Sequence, residues 1–257
     1  MSILAFKLIV TPLLIAAASL AQRRWGGVVG GLIAGLPLTS APVSAFLAVE
    51  HGPEFAARAA TATLLGVTAM SAFCFAYARL AARGSWWSCA MASLALCFAV
   101  TLMLSFVPQS VPVAALITFP APVILVLLMG RPPQGAQVRP RAPWWDIPAR
   151  MVVATSIVLA ITGAASFLGA KWSGLLSTLP VYALVMGVFS HTHGGPAAAH
   201  TFLRGVAIGA LGSATFLLVV AAIVESVSML ATYTIASVAS VALAASSQAA
   251  FVALARR

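Results

Sequence analysis

Charge is what this sequence most lacks. Of 257 residues, 14 are Lys or Arg and 4 are Asp or Glu, so charged residues make up 7% of the chain. Soluble domains carry about 25%, which excludes an ordinary soluble enzyme. Disorder is excluded from the other side, because 62% of the residues are hydrophobic and disordered chains are poor in apolar residues. Aspartate occurs once, at position 146, so no acidic pair exists to hold Mg²⁺ for prenyl chemistry. There is no Gly-x-Ser-x-Gly, no His-Glu-x-x-His and no Gly-Lys-Ser/Thr, the signatures of a serine hydrolase, a zinc protease and a phosphate loop. The chain is read as a non-enzyme without cofactor. Its three cysteines, Cys74, Cys89 and Cys97, lie in apolar segments with no Cys-x-x-Cys. That pattern fits neither a disulfide framework nor a zinc site.

What is present is apolar sequence punctuated by basic residues. The net charge is +10 and the mean hydropathy +1.07. In a soluble protein such a charge points to nucleic acid. Here the arginines fall between long apolar runs, which is how a multi-pass membrane protein is oriented, so the expected partner is the bilayer and not nucleic acid. A crossing helix needs about 20 apolar residues. Cutting at charges and Gly/Pro clusters predicts nine spans: 2–21, 26–49, 55–78, 85–106, 110–130, 151–170, 173–190, 198–224 and 227–255. Residues 2–21 are too long an apolar stretch, and too poor in leading charge, for a cleavable signal. The charge-free run from Arg83 to Arg131 is divided by Pro108-Gln109-Ser110-Val111-Pro112. Residues 131–148 read as the one real linker, rich in Pro and Arg, with Trp144 and Trp145 suited to the interface.

With the N-terminus outside, one face receives Arg23, Arg24, Arg79, Arg83, Arg131, Arg139, Arg141, Arg150, Arg256 and Arg257. The other receives Glu50, Glu54 and Glu225, with Lys171. Under the positive-inside rule the basic face and the C-terminus are cytoplasmic, placing the chain in a bacterial-type inner membrane.

The chain also resembles itself at an offset of 143. Leu36-Pro37 matches Leu179-Pro180, and Gly52-Pro53 matches Gly195-Pro196. Phe46, Ala56, Gly66 and Phe73 match Phe189, Ala199, Gly209 and Phe216, and Lys7 matches Arg150 as a basic residue. The offset contains five spans, an odd number, so the second copy would run inverted. The expected architecture is all-α and polytopic: a four-span repeat over 1–107, a connector helix and linker over 108–148, and an inverted four-span repeat over 149–257.

The frame of Lys7, Arg24-Trp25-Gly26-Gly27, Leu36-Pro37 and Glu50-His51-Gly52-Pro53-Glu54 resembles the GlpM-type small inner-membrane proteins, which are single four-span units. The second half carries it as Arg150, Lys171-Trp172-Ser173-Gly174, Leu179-Pro180 and Gly194-Gly195-Pro196, with His193 and Ala197 where the acids stand. The resemblance covers about 80 residues of each half. It implies a fused, inverted double of the four-span unit and brings no activity with it.

Candidate binding residues follow from the prolines. Pro37 and Pro42 remove helix donors and free carbonyls in span 2, where Thr39, Ser40 and Ser44 can compensate. Span 7 answers with Pro180 and Tyr182. Interrupted helices at matching positions of two inverted halves point to a midplane transport site; the plainer reading is two packing kinks. Arg204 lies eight residues past Pro196, about 12 Å along a helix. It is either an anion-selecting group or a snorkelling side chain. Glu50, His51, Glu54, Arg58, His191, His193 and His200 are candidates for gating or pH sensing. Glu54 and Arg58 also have the spacing of an interfacial pair, and the histidines lack the acid that a metal set would add. Gly27-x-x-x-Gly31-x-x-x-Gly35 lets two helices approach closely. The reading is a transporter or channel for a small polar or anionic solute; the alternative is an accessory or structural subunit of a membrane assembly. A homo-oligomer stays open.

The topology makes a direct prediction. Gln137→Cys, in a cysteine-free background, should resist an impermeant thiol reagent added to intact cells, and strong labelling there would sink the nine-span, N-out arrangement.

Overall fold

A computed structural model describes residues 3–38, 40–130, 143–160 and 179–255. Every regular element among them is helical: α1 (Ile3–Trp25), α2 (Gly27–Gly35), α3 (Ser40–His51), α4 (Pro53–Leu80), α5 (Trp86–Leu104), α6 (Val111–Thr118), α7 (Pro120–Met129), α8 (146–160), α9 (Val181–Ile223) and α10 (Met229–Ala255). Six stretches are long and apolar enough to cross a bilayer: Gly27–His51, Pro53–Leu80, Trp86–Leu104, Val111–Met129, Val181–Ile223 and Met229–Phe251. This is the architecture of a multi-pass membrane protein. Its outer surface agrees, because Met103, Phe106, Leu116 and Leu230 are each more than two-thirds exposed, a surface suited to lipid rather than water. Residues 131–142 of the expected 131–148 linker, residues 161–178 with the end of the sixth expected span, Lys171-Trp172-Ser173-Gly174 and the start of the seventh, Thr39, and Arg256 and Arg257 lie outside the described residues.

Helix ends fall where the sequence forbids continuation. Gly52 and Gly195 have φ of 88° and 75°, a region closed to side chains with a Cβ. Each is followed by a proline that opens the next helix without needing a donor. Gly52 separates α3 from α4; Gly195 sits inside α9 as its single non-helical residue. A straight helix of 43 residues would run about 65 Å, twice the hydrocarbon core. Instead α9 folds back, and Gly187 and Leu203, each eight residues from Gly195, are in contact. The 43 residues are therefore two arms, 181–194 and 196–223.

The sequence offset recurs in backbone hydrogen bonds. At the first Leu-Pro, Leu38 N–H donates to Leu36 O at 2.8 Å and Ala41 N–H to Pro37 O at 2.8 Å. At the second, Val181 donates to Leu179 and Leu184 to Pro180 at the same distances. Helix α4 and the second arm of α9 also end alike. Ala81 donates to Tyr77 and Arg83 to Leu80; Val224 donates to Val220 and Ser226 to Ile223. Each pair is again 143 residues apart. The two Gly-Pro tips lie at opposite ends of the bundle: His191, beside the Gly195 tip, meets Tyr77, which is 25 residues and about 37 Å along α4 from Gly52.

The tightest packing is between α2 and the second arm of α9. A Cβ on Gly31 would strike the Phe202 carbonyl and lie 2.8 Å from Val206 N; one on Gly35 would strike the Val206 carbonyl. From the other side, Cβ atoms on Gly205 and Gly209 would strike the carbonyls of Val28 and Leu32. Ser213 Oγ donates to Gly35 O at 2.8 Å across the same contact. The small-residue stripe is thus a helix-packing seam joining residues of the two sequence halves. Gly31→Val should be destabilising by at least the ~1–3 kcal/mol typical of overpacking, read as a fall in the thermal midpoint of purified protein. Gly130→Ala, away from the seam but at φ 73°, should carry only the cost of its backbone conformation and leave the helix seam intact.

Candidate functional site

Residues flanking the two Leu-Pro breaks share one cavity. A cavity of about 20 Å³, room for one water, is lined by Leu14 and Ala18 of α1, Ala34 and Leu36 at the end of α2, Leu38, and Tyr182 of α9. Tyr182 presents a buried hydroxyl beside Thr11 without a well-aligned hydrogen bond. Pro37 and Pro180 each close a one-residue turn next to this cavity. Of the remaining candidates in span 2, Ser40 opens α3, and Ser44 shares a 2.9 Å hydrogen bond with Tyr233 of α10. Thr39 lies outside the described residues.

The other candidates lie towards the two ends. Glu50, His51, Glu54 and Arg58 are at the Gly52 tip. Glu54 and Arg58 pair at 3.0 Å with both side chains more than 70% exposed, and His51 packs on Phe55 at 4.9 Å between ring centroids. This is the interfacial pair that the spacing allows. At the opposite end the three histidines have three separate environments. His191 Nδ1 is 3.3 Å from the Tyr77 hydroxyl. His200 Nε2 is 3.3 Å from Met129 O. His193 turns to an acid. Among the described residues no group of three metal-ligating side chains converges. Arg204 donates to Gly130 O at 3.2 Å, satisfying a carbonyl at the C-terminus of α7, where a cation also suits the helix dipole. It does not line the cavity.

The acid that His193 faces is Asp146. The sequence assigns it to a solvent linker, yet it begins α8 and is completely buried. Its Oδ2 accepts from Arg23 at 3.0 Å and its Oδ1 from Arg150 Nε at 3.1 Å. His193 Nδ1 stands 3.2 Å from Oδ1 without a well-aligned hydrogen bond. Arg150, itself buried, sends Nη1 to Gln22 Oε1 at 3.1 Å and towards Met186 Sδ at 3.4 Å, with its guanidinium over the Phe189 ring. Gln22 Nε2 in turn donates to Ser190 at 2.8 Å. Burial pushes the Arg150 guanidinium down from its ordinary pKa while Asp146 pushes it up; an arginine keeps its charge through both. Three elements, α1, α8 and the α9 tip, are tied to one carboxylate. The local signal for this cluster was the only aspartate of the chain standing one helical turn before an arginine.

No family model, curated protein or solved structure matches the chain.

Burial separates the two ion pairs. Asp146→Ala leaves Arg150 buried without its counterion, which costs about 3–5 kcal/mol. Glu54→Gln removes an exposed pair whose contribution is about 0–1 kcal/mol. Thermal denaturation in detergent should show a large loss for the first and little or none for the second; equal losses would mean that the Asp146 cluster is hydrated and not buried.

Proposed function

We propose that this protein is an inner-membrane transporter or channel for a small polar or anionic solute, built as two inverted four-span repeats joined by a connector helix, with nine spans, N-terminus outside and C-terminus in the cytoplasm. The similarity to GlpM-type proteins fits such a doubling. The observation that carries the reading is one water-sized cavity that takes Leu36 and Leu38 from the first break and Tyr182, two residues past the second, into its wall. The described carbonyls at the breaks are already in use, Ile33, Leu36, Pro37, Leu179 and Pro180 by backbone N–H groups and Gly35 by Ser213, so the reading rests on position: broken helices at a repeat interface are how secondary transporters build a site. The opposed Gly52 and Gly195 tips support inversion. The site is centred on Tyr182 and the turns at Pro37 and Pro180; of the expected hydroxyls Ser40 opens α3, Ser44 is bonded to Tyr233, and Thr39 lies outside the described residues. Arg204 serves it indirectly, by holding the end of α7.

Purified protein in liposomes, assayed against a panel of small neutral and anionic solutes, tests the proposal. Flux of at least one solute is expected, with Tyr182→Ala lowering it about tenfold at unchanged folded yield. Arg204→Ala should lower folded yield and leave flux per folded molecule unchanged. If no solute moves, the water-sized cavity is a packing feature and the chain is better read as an accessory subunit of a membrane assembly.

A further inference from the structure

The contact between α1 and the first arm of α9 differs in kind from the glycine seam. It is made mainly through side chains, and those side chains are polar in step. On α9, His193, Ser190, Met186 and Tyr182 follow one another at three- and four-residue intervals, the spacing of a single helix face. On α1, Gln22, Ser19 and Thr11 lie opposite: Gln22 bonds Ser190 at 2.8 Å, Ser19 Oγ donates to Met186 Sδ at 3.3 Å, and Thr11 lies beside the Tyr182 hydroxyl. Ser19, Thr11 and Ser190 are all buried. The polar line runs from His193 at the basic end to Tyr182 at the cavity, about 16 Å along the helix.

Arg150 stands at the head of this line with Asp146 across it. A carboxylate with two guanidiniums on it leaves an excess of positive charge, with the His193 ring beside it. Arg150 directs Nη1 at a neutral amide and a thioether, the latter a weak acceptor. An arginine held this way keeps donors for a second anion, which a carboxylate can take up in bidentate form. Stability alone does not require the cluster, since well-packed apolar side chains of similar volume serve as well or better.

We infer that the α1–α9 seam is the entry track to the cavity, that Arg150 is its anion-recognising group, and that Asp146, tethered to Arg23, Arg150 and His193, is the gate that closes it. The ligand class is a small monoanion such as a carboxylate. The track deepens the transport reading given above and rests on it for solute movement, while the gate is read by accessibility alone.

The test uses the full chain, free of native cysteines, with Ser190→Cys on the track or Ser226→Cys on the exposed far turn. Labelling rates are measured with an anionic and a cationic methanethiosulfonate of similar size, each normalised to Ser226→Cys. Ser190→Cys should react slowly when Asp146 is present. Asp146→Asn should raise its rate at least tenfold and favour the anionic reagent, and adding Arg150→Gln should abolish that preference. Arg23→Gln, which removes a half-exposed strut and keeps Asp146, should raise the rate to a lesser degree and serves if Asp146→Asn does not fold. Rates within twofold of the parent in the folded variants, or a charge preference unaffected by Arg150→Gln, would overturn the inference and make the cluster a structural staple. Expected labelling without liposome flux keeps the gate and removes the transport reading; flux with unchanged labelling does the reverse.

Discussion

Backbone-to-backbone contact between α2 and the second arm of α9 is the constraint from which the rest of the architecture follows. Gly27, Gly31 and Gly35 present no side chains, and Gly205 and Gly209 answer with none. In a bilayer the apolar effect does not drive helices together, so close approach, dispersion and short hydrogen bonds must do it. The Ser213 bond to Gly35 O lies at the last turn of α2, where the helix loses its own donors at Leu36-Pro37. Packing and chain interruption are therefore one feature: the seam stops where the helix breaks, and the break is what opens the cavity.

Around that fixed seam the remaining contacts are graded. Helix α4 lies along α9 through large buried side chains, with Phe73, Tyr77, Phe202 and Phe216 wholly enclosed. Helices α6 and α7 attach to α4 by Thr118, which donates to Leu64 O at 3.0 Å. Helix α1 packs closely on α2, where a Cβ on Gly30 would strike Gln22, and meets α9 through polar side chains and the Asp146 cluster at its basic end.

Much of this was legible in the sequence, for reasons that are local. Gly-Pro pairs set a backbone turn that only glycine and proline chemistry permits, and both tips stand where Gly52-Pro53 and Gly195-Pro196 place them. The Leu-Pro breaks and the glycine stripe were readable for the same reason. The ion cluster was not. Its partners come from three stretches, Gln22-Arg23, Asp146 with Arg150, and His193, that are far apart in sequence, and a Pro/Arg-rich surround made Asp146 look solvated. The histidines misled in the opposite way: His191, His193 and His200 are near in sequence, but successive helical positions and the turn at Gly195 send them to Tyr77, Asp146 and Met129 O. Arg204 was legible as an intramembrane cation, while its bond to Gly130 depends on where α7 ends.

The central claim is that two copies of one helical unit face opposite sides of the membrane. It is tested most directly by thiol accessibility at the two Gly-Pro tips, with His51→Cys and Thr192→Cys, both exposed, compared in intact cells and inverted vesicles. The account predicts that an impermeant reagent labels His51→Cys only in cells and Thr192→Cys only in inverted vesicles. Labelling of both positions from the same side would contradict it.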